Sequence, residues 1–192
     1  MKNKPLIDSG NYLFCILGRS GSGKDTLVDE LIKRHPDWVK LISKTTRNKR
    51  FPEENTHVFS THEEYLREKE AGKVVAYTNY NGNEYWATTD QIENSFFYVL
   101  DPIGLEQLKR EYKGKKKIIS IGLSICSSVS LERMRKRGDN EKSISERLAL
   151  DEIAFKDLSQ IVDMYVKADE FESKKLADYI ENIIYFYLSF SH

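Results

Sequence analysis

The amino-acid sequence predicts an α/β fold in which a parallel central sheet is covered by helices on both faces. Short apolar runs typical of buried strands alternate along the chain with segments whose apolar residues recur at helical spacing. A glycine-rich loop joins the first apolar run directly to the first helical segment. Strands that are connected through helices run parallel, and the connecting helices pack on both sides of the sheet. We therefore expect a three-layer sandwich of helices, sheet and helices.

Each element of this sandwich follows from its own local pattern. Strands are predicted at 12–18, 39–43, 96–101, 117–125 and 164–168. Helices are predicted over about 24–35, over about 103–113 and from Ser173 onwards. Ser173 is the expected N-cap of the last helix, because a serine hydroxyl can accept a hydrogen bond from a free amide of the first turn. Apolar side chains then fall on one face of that helix, at Leu176, Ile180, Ile183, Ile184 and Tyr187.

Two segments depart from the alternation and are predicted to stand off the main sheet. Residues 44–95 are mostly polar, charged and aromatic, with one helix that begins at the capping box Thr61-x-x-Glu64 and ends at Gly72. Residues from about 127 to 148 are rich in arginine. We expect a single domain over 1–192, with its core at about 1–43, 96–126 and 149–192.

The glycine-rich loop has the sequence of a phosphate-binding P-loop, Gly18-Arg19-Ser20-Gly21-Ser22-Gly23-Lys24-Asp25-Thr26. Its glycines allow a tight turn that points backbone N–H groups at phosphate oxygens, and the following helix adds a favourable dipole. Lys24 supplies a cation for the β- and γ-phosphates. The candidate ligands of ATP are therefore Gly18, Ser20, Gly21, Ser22, Gly23, Lys24, Asp25 and Thr26. The alternative is a glycine- and serine-rich connection that contains a lysine by chance.

One position of the loop departs from the usual motif. Asp25 stands where P-loops normally carry the serine or threonine that binds Mg²⁺, and a hydroxyl follows only at Thr26. A carboxylate also binds Mg²⁺, directly or through water. We therefore predict that Asp25 and Thr26 arrange a Mg²⁺ ion beside the phosphates.

Composition limits the classes of partner. The 192 residues include 30 basic and 30 acidic ones, so the net charge implies no general attraction to nucleic acid or to an anionic membrane. The longest apolar stretch, 183–190, is far shorter than the ~20 residues that span a bilayer. Cys15 and Cys126 have no zinc-ligand spacing, and we expect both to be buried, reduced thiols. With no leader sequence before the first strand, we expect a cytoplasmic protein, monomeric or homodimeric, that binds small molecules.

Four motifs occur in a fixed order along the chain. The P-loop is followed by Ser43-Lys44-Thr45-Thr46-Arg47-x-x-Arg50, then by Tyr80-Asn81-Gly82-x-x-Tyr85, and then by an arginine-rich segment that ends in Glu146-Arg147-Leu148. In this order, over residues 12 to 185, they resemble the guanylate kinases. The resemblance implies a P-loop NTPase core, an inserted nucleoside-monophosphate-binding domain at about 44–95 and a mobile lid at about 127–148.

The resemblance also implies roles for individual residues. Ser43 would contact the acceptor base, Arg47 and Arg50 the acceptor phosphate, and Tyr85 would donate its hydroxyl to the same phosphate. Two arginines three residues apart independently suit phosphate, because planar guanidinium groups match its oxygens bidentately. The lid would contribute Arg133 to ATP binding and Arg137 and Arg147 to catalysis beside Lys24 and Arg47.

Each of these roles has a purely structural alternative. Arg47 and Arg50 could lie in a solvated basic loop. Tyr85 could serve cross-strand packing in an aromatic hairpin. Arg137 before Gly138 suits a helix C-terminus, where cations interact favourably with the helix dipole, and Arg147 could form a surface ion pair.

Departures from the family pattern are concentrated around the acceptor base. Guanylate kinases carry acidic residues for guanine at about the positions of Ala76 and Ile103, and small residues where Trp86 and Ala87 stand. Asp101 remains the best acidic candidate. Guanine N–H groups buried without acceptors would each cost about 1–3 kcal/mol, so acceptor specificity is where this chain departs most from the family.

The expected function is ATP-dependent phosphoryl transfer to a nucleoside monophosphate, GMP by resemblance. One alternative is another phosphorylated acceptor, such as ribose 1,5-bisphosphate or a different nucleoside monophosphate; kinases of ribose bisphosphate within the family share the sequence Gly23-Lys24-Asp25. A second alternative is a catalytically silent binding module of the same fold. Such modules typically lose the P-loop, which this chain retains.

Overall fold

The structure, a computed structural model, describes residues 9–190. Over this range the strands are β1 (Tyr12–Gly18), β2 (Lys44–Thr45), β3 (Val58–Phe59), β4 (Val74–Tyr80), β5 (Asn83–Thr88), β6 (Phe97–Val99), β7 (Lys117–Ser124) and β8 (Met164–Lys167). The helices are α1 (Lys24–Arg34), α2 (His62–Glu70), α3 (Thr89–Glu93), α4 (Pro102–Glu111), α5 (Ser127–Lys136), α6 (Glu141–Ala154), α7 (Leu158–Ile161) and α8 (Ser173–Ser189).

The main sheet is parallel and has the strand order β6-β1-β7-β8. Phe14 on β1 pairs with Phe97 on β6 and with Ile119 on β7. Successive side chains of a strand point to opposite faces. Accordingly, the even-numbered residues of β1 pack with α1 and α8, and the odd-numbered ones pack with α4. The predicted three-layer α/β fold with a parallel central sheet is therefore confirmed.

A second sheet, with the order β3-β2-β5-β4, lies between β1 and β6 in sequence. β4 and β5 form an antiparallel hairpin whose turn residues Asn81 and Gly82 both have positive φ, 51° and 75°. That is the backbone conformation of a two-residue type I′ turn. One face of the hairpin packs against the α4 side of the main sheet, and the other face packs against α2.

Three local predictions are wrong or only half right. Residues 39–43 form no strand beyond one bridge from Lys40 to Phe97, because this segment runs along the outer edge of β6 and leaves Val39 half exposed. The N-cap of α8 is Glu172, without a side-chain capping bond, and Ser173 is the first helical residue. Thr61 caps α2 as predicted, but the Glu64 side chain binds Lys44 and Ser60 and does not complete a capping box.

The two cysteines differ in environment. Cys15 is buried in β1, where burial raises the pKa of its thiol, whereas Cys126 is exposed at the N-cap of α5. The prediction that both are buried is wrong for Cys126, because the chain leaves the sheet just before this residue. Among residues 9–190, none of the helices is long and apolar enough to cross a membrane.

Candidate active site

The phosphate loop connects the carboxyl end of β1 to the first turn of α1. Gly21 and Gly23 have φ of 74° and 88°, a conformation that other residue types rarely adopt. A Cβ on Gly18 would lie 2.6 Å from the carbonyl oxygen of Leu123 on β7. Glycine at these positions therefore lets the loop fold tightly against the neighbouring strand.

Lys24, at the start of α1, folds back onto this loop. Its Nζ donates to the carbonyl oxygen of Gly18 at 2.5 Å and to that of Arg19 at 3.0 Å. Burial lowers the pKa of Lys24, and the carboxylates of Asp25 and Asp151 oppose part of that change. The ammonium group is thus held at the rim of the loop, where phosphate oxygens would be bound.

Asp25 is the oxygen ligand that the sequence offers for Mg²⁺, and its side chain is 69% exposed. Lys40 donates to Asp25 at 2.9 Å and to Asp29 at 3.1 Å. Burial acts to raise the pKa of Asp25, but Lys40 outweighs it, so the pKa is lowered and the carboxylate is ionised at neutral pH. An exposed carboxylate beside Thr26 suits Mg²⁺, which uses few protein ligands and completes its shell with phosphate oxygens and water. No cluster of three or more metal-ligating side chains occurs within residues 9–190.

A cavity of about 920 Å³ lies over the phosphate loop. The loop forms its floor, through Ser20, Gly21, Ser22, Gly23, Lys24, Asp25 and Thr26. Arginines from the two helices that follow β7, and from the C-cap of the first of them, form part of the wall, at Arg133, Arg147 and Arg137. The structure thus gathers the predicted ATP ligands, except Gly18, and the predicted lid arginines around one space.

Asp139, in the turn between α5 and α6, binds two of these arginines. Its carboxylate accepts hydrogen bonds from Arg137, through Nε at 3.2 Å and Nη2 at 2.5 Å, and from Arg147 at 3.2 Å. Arg137 is the main cause of the lowered pKa of Asp139, and the charges of Arg147 and Arg50 add to it. One carboxylate therefore holds arginine side chains from both helices together at neutral pH.

The same two helices also contact the phosphate loop itself. The backbone N–H of Ser20 donates to Asp151 on α6 at 2.6 Å, and the Ser20 carbonyl accepts from the hydroxyl of Ser130 on α5 at 2.6 Å. Arg133 donates to the Gly21 carbonyl at 3.0 Å. Asp151 and Ser130 are both buried, at 6% and 0% exposure.

Arg47 and Arg50 lie in the loop between β2 and β3. Glu54, which is 2% exposed, accepts from Arg47 Nη1 at 3.2 Å and Nη2 at 2.7 Å, and from the Arg50 backbone N–H at 2.6 Å. Glu54 is the main cause of the raised pKa of Arg47, and Tyr85 contributes as well. Arg47 Nε is buried and has no partner among the described residues. Neither arginine lines a cavity described here, but Arg47 lies next to Tyr85.

A second, smaller cavity of about 210 Å³ lies between the hairpin and the end of β6. Three of the predicted acceptor residues line it, namely Ser43, Tyr85 and Asp101. Asp101 caps α4 by accepting the Gly104 N–H at 2.7 Å, and it also accepts the Thr78 hydroxyl at 2.9 Å. Burial raises the pKa of Asp101, which these two hydrogen bonds partly oppose. Asp101 is the carboxylate that the described residues contribute to this wall.

The structure changes one expectation about the acceptor pocket and adds residues that the sequence motifs did not mark. Trp86 does not fill the pocket, because its side chain is on the opposite face of β5 and packs against Tyr65 of α2. Thr78 and His57 line the cavity although no sequence motif marked them. Asp151 was also missed, since its contact with Ser20 spans 131 residues and leaves no local signal.

Comparisons with known proteins agree with this geometry. The family described as "Guanylate kinase" matches residues 11–183. The guanylate kinase of Synechocystis sp. is 32% identical over 146 residues, 71% of this chain and 75% of that protein, and that of Synechococcus sp. is 35% identical over 147 residues, 71% and 66%. The crystal structure of guanylate kinase from Anaplasma phagocytophilum, at 20% identity, covers 96% of this chain and 90% of its own with a TM-score of 0.67, which supports the fold.

The match over residues 11–183 includes the phosphate loop, both sheets and both helices of the arginine-rich segment. The predicted enzyme class, a P-loop nucleotide kinase, is thereby confirmed. This chain belongs to the guanylate kinase family.

Proposed function

We propose that this protein transfers the γ-phosphoryl group of ATP to GMP. The observation that carries the proposal is the presence of two cavities, one over the phosphate loop with three arginines in its wall and one lined by Tyr85, which lies next to Arg47. Neither the family match nor the relatives favour ribose 1,5-bisphosphate as acceptor or a silent binding module.

On the donor side, the loop amides and Lys24 bind the β- and γ-phosphates. Loss of the bonds from Lys24 to two loop carbonyls frees its ammonium group for phosphate oxygens. The α1 dipole adds to this attraction, since the N-terminus of the helix points at the loop. Asp25 and Thr26 would hold Mg²⁺, which would supply positive charge to neutralise the phosphates.

The arginines of α5 and α6 stabilise the charge that develops during transfer. Phosphoryl transfer spreads negative charge over the equatorial oxygens of the moving group, and fixed guanidinium groups lower the energy of that state. Arg137 and Arg147 suit this role because Asp139 already holds them side by side. Residues 127–148 act as a lid, and in the position seen here, with Ser130 bound to the phosphate loop, the lid helps to exclude water from the transferred group.

The acceptor phosphate binds at Arg47, Arg50 and Tyr85. The Tyr85 hydroxyl next to Arg47 is a donor available to phosphate oxygens. The Nε of Arg47 has no partner among the described residues and is buried, so it can bind phosphate only after the loop moves to expose it. The base occupies the smaller cavity, where Ser43 and Asp101 are its polar contacts. The hydrogen bonds from Gly104 and Thr78 both reach Oδ1 of Asp101, so Oδ2 keeps acceptor capacity for the guanine N–H groups.

The test is a phosphoryl-transfer assay with ATP, Mg²⁺ and a panel of acceptors: GMP, dGMP, the other nucleoside monophosphates and ribose 1,5-bisphosphate. We expect GMP to be the preferred acceptor, with GDP identified as the product. Lys24→Ala should lower kcat by about 10²-fold or more, because a positioned cation at the transferred phosphate is lost. Lys156→Ala, which removes an exposed lysine outside both cavities, is the matched control.

The other outcomes of this assay are equally informative. Preference for a different phosphorylated acceptor would overturn the proposal that GMP is the substrate and show that the acceptor pocket has a different specificity. No turnover of any acceptor would overturn the kinase proposal and favour a binding module. Full activity in Lys24→Ala would remove the phosphate loop from the mechanism.

A further inference from the structure

We propose that Asp151 and Ser130 form a clamp that fixes the backbone of Ser20 in the phosphate loop, and that through this clamp Asp151 positions the loop and Arg147 for catalysis. The inference rests on the proposed kinase function and adds a positioning residue to its ATP site. The clamp is defined by two hydrogen bonds, from the Ser20 N–H to Asp151 and from the Ser130 hydroxyl to the Ser20 carbonyl.

Both backbone polar groups of one residue, Ser20, are thus bound by side chains from different helices. The two bonds span 131 and 110 residues of sequence, and each is 2.6 Å long. Ser130 also packs against Gly21, where an added Cβ would lie 3.0 Å from the Ser130 carbonyl oxygen. A change of conformation at Ser20 therefore either breaks these hydrogen bonds or moves α5 or α6.

The position of Asp151 indicates that it supports the loop and does not compete with phosphate. Its side chain is buried, and the wall of the 920 Å³ cavity, as far as the described residues form it, includes Ser20 and Arg147 but not Asp151. The carboxylate therefore reaches Ser20 from outside the phosphate-binding space. ATP can bind without displacing it, so removal of Asp151 should weaken ATP binding.

The clamp also sets the arginines above the cavity. Arg147 and Asp151 are four residues apart on α6 and so lie on one face, one turn from each other. Ser130 and Arg133 are likewise one turn apart on α5. Anchoring Asp151 and Ser130 to the loop therefore fixes the turns that carry Arg147 and Arg133. A charge effect accompanies the geometry, because Asp151 also favours the protonated form of the buried Lys24.

Three variants separate the hydrogen bond from the charge. Asp151→Ala removes both, Asp151→Asn keeps an oxygen that can accept the Ser20 N–H, and Ser130→Ala opens the clamp from the other helix. We expect Asp151→Ala to lower kcat/KM for ATP by about 10- to 100-fold, while the KM for GMP changes less than twofold. Asp151→Asn should recover most of the loss, because the side-chain amide oxygen of asparagine can still accept the hydrogen bond from the Ser20 N–H. Asp157→Asn, an exposed aspartate just after α6, is the matched control.

Two further measurements make the result decisive. Calorimetric titration of each variant with ATP in the absence of GMP reports donor binding alone, so a failure of GMP turnover in the unsubstituted protein would leave the clamp testable. In the double variant Ser130→Ala/Asp151→Ala, which removes both hydrogen bonds, the combined loss should differ from the product of the single losses, because both bonds hold the backbone of one residue. Thermal unfolding of every variant identifies those that do not fold.

The inference would be overturned by either of two results. One is Asp151→Ala with ATP affinity and kcat within twofold of the unsubstituted protein. The other is an equal loss toward ATP and GMP that Asp151→Asn does not rescue, since that pattern indicates general destabilisation.

Discussion

Glu54 organises the acceptor-phosphate loop through hydrogen bonds to side chains and backbone. It accepts from both terminal nitrogens of Arg47, from the Arg50 backbone and from the Thr56 hydroxyl. Arg47 is the main cause of its lowered pKa, which is about 2. A buried carboxylate satisfied in this way keeps Arg47 in place before substrate arrives.

This contact predicts a specific dependence of stability on pH. The ordinary pKa of a glutamate is 4.5, so folding depresses the pKa of Glu54. The contribution of Glu54 to folding is then fully present above about 4.5 and is lost as the pH falls toward 2. We expect Glu54→Gln to lower the free energy of unfolding at pH 7 and to flatten its decline below pH 4.5, measured by urea unfolding between pH 7 and 3.

Glu53 provides the matched control for this prediction. It is the adjacent residue, is of the same type and is exposed. Glu53→Gln should leave the acid dependence unchanged. An identical slope in Glu54→Gln and the unsubstituted protein would show that Glu54 does not titrate with a depressed pKa.

At the residue scale, the sequence was informative where chemistry is encoded locally. Lys24 and its loop could be located because glycine spacing and the strand-helix context are contiguous in the chain. Asp151 and Glu54 could not, because their importance depends on which distant donors the fold places beside them. The roles of Arg47, Arg137 and Arg147 stay predictions until they are tested.

At the element scale, successive side chains of β5 point to opposite faces of the strand. Residues on one face line the smaller cavity, and residues on the other face pack against α2. Tyr85 points into the smaller cavity, whereas Trp86 points to the opposite face. The Trp86 ring is fully buried, and its Nε1 donates to Glu68 at 2.7 Å. Trp86, which the family sequence pattern places near the base, therefore packs against α2 and stabilises its position.

Paired substitutions on β5 test this division. Trp86→Phe should lower the free energy of unfolding by about 2–3 kcal/mol, because it loses a hydrogen bond to a carboxylate and leaves a small void. Its KM for GMP should stay within about twofold of the unsubstituted value. Tyr85→Phe should have the opposite pattern: the free energy of unfolding in urea should change little, and the KM for GMP should rise. A large rise in KM for Trp86→Phe alone would place its ring in the pocket.

The wrong element predictions share a physical cause. Residues 39–43 have the composition of a strand, but only the Lys40 bridge forms, since the segment meets β6 at one edge and has no partner on its other side in the main sheet. Ser173 has the right side chain for an N-cap, yet the helix begins one residue earlier. In both cases tertiary packing sets the boundary and local propensity does not.

At the scale of the whole molecule, the alternation of strands and helices sufficed to predict a parallel sheet with two covered faces. The order of the strands was not predicted, because it depends on which apolar faces meet across long stretches of chain. The second sheet could be recognised only as a departure from that alternation. Its side-by-side placement with the end of β6, which creates the smaller cavity, is a property of the assembled fold.

The strand order has a consequence for how the protein is made. β1 lies between β6 and β7, so loops of roughly 80 and 100 residues must close before its ladders form, which is slow compared with local pairing. The β4–β5 hairpin, by contrast, needs only the turn at Asn81 and Gly82 and can form early during synthesis. A nascent chain that has not yet extended beyond β6 carries the whole phosphate-loop sequence but lacks the strand against which Gly18 packs. Nucleotide binding should therefore begin only late in translation, after β7 has left the ribosome.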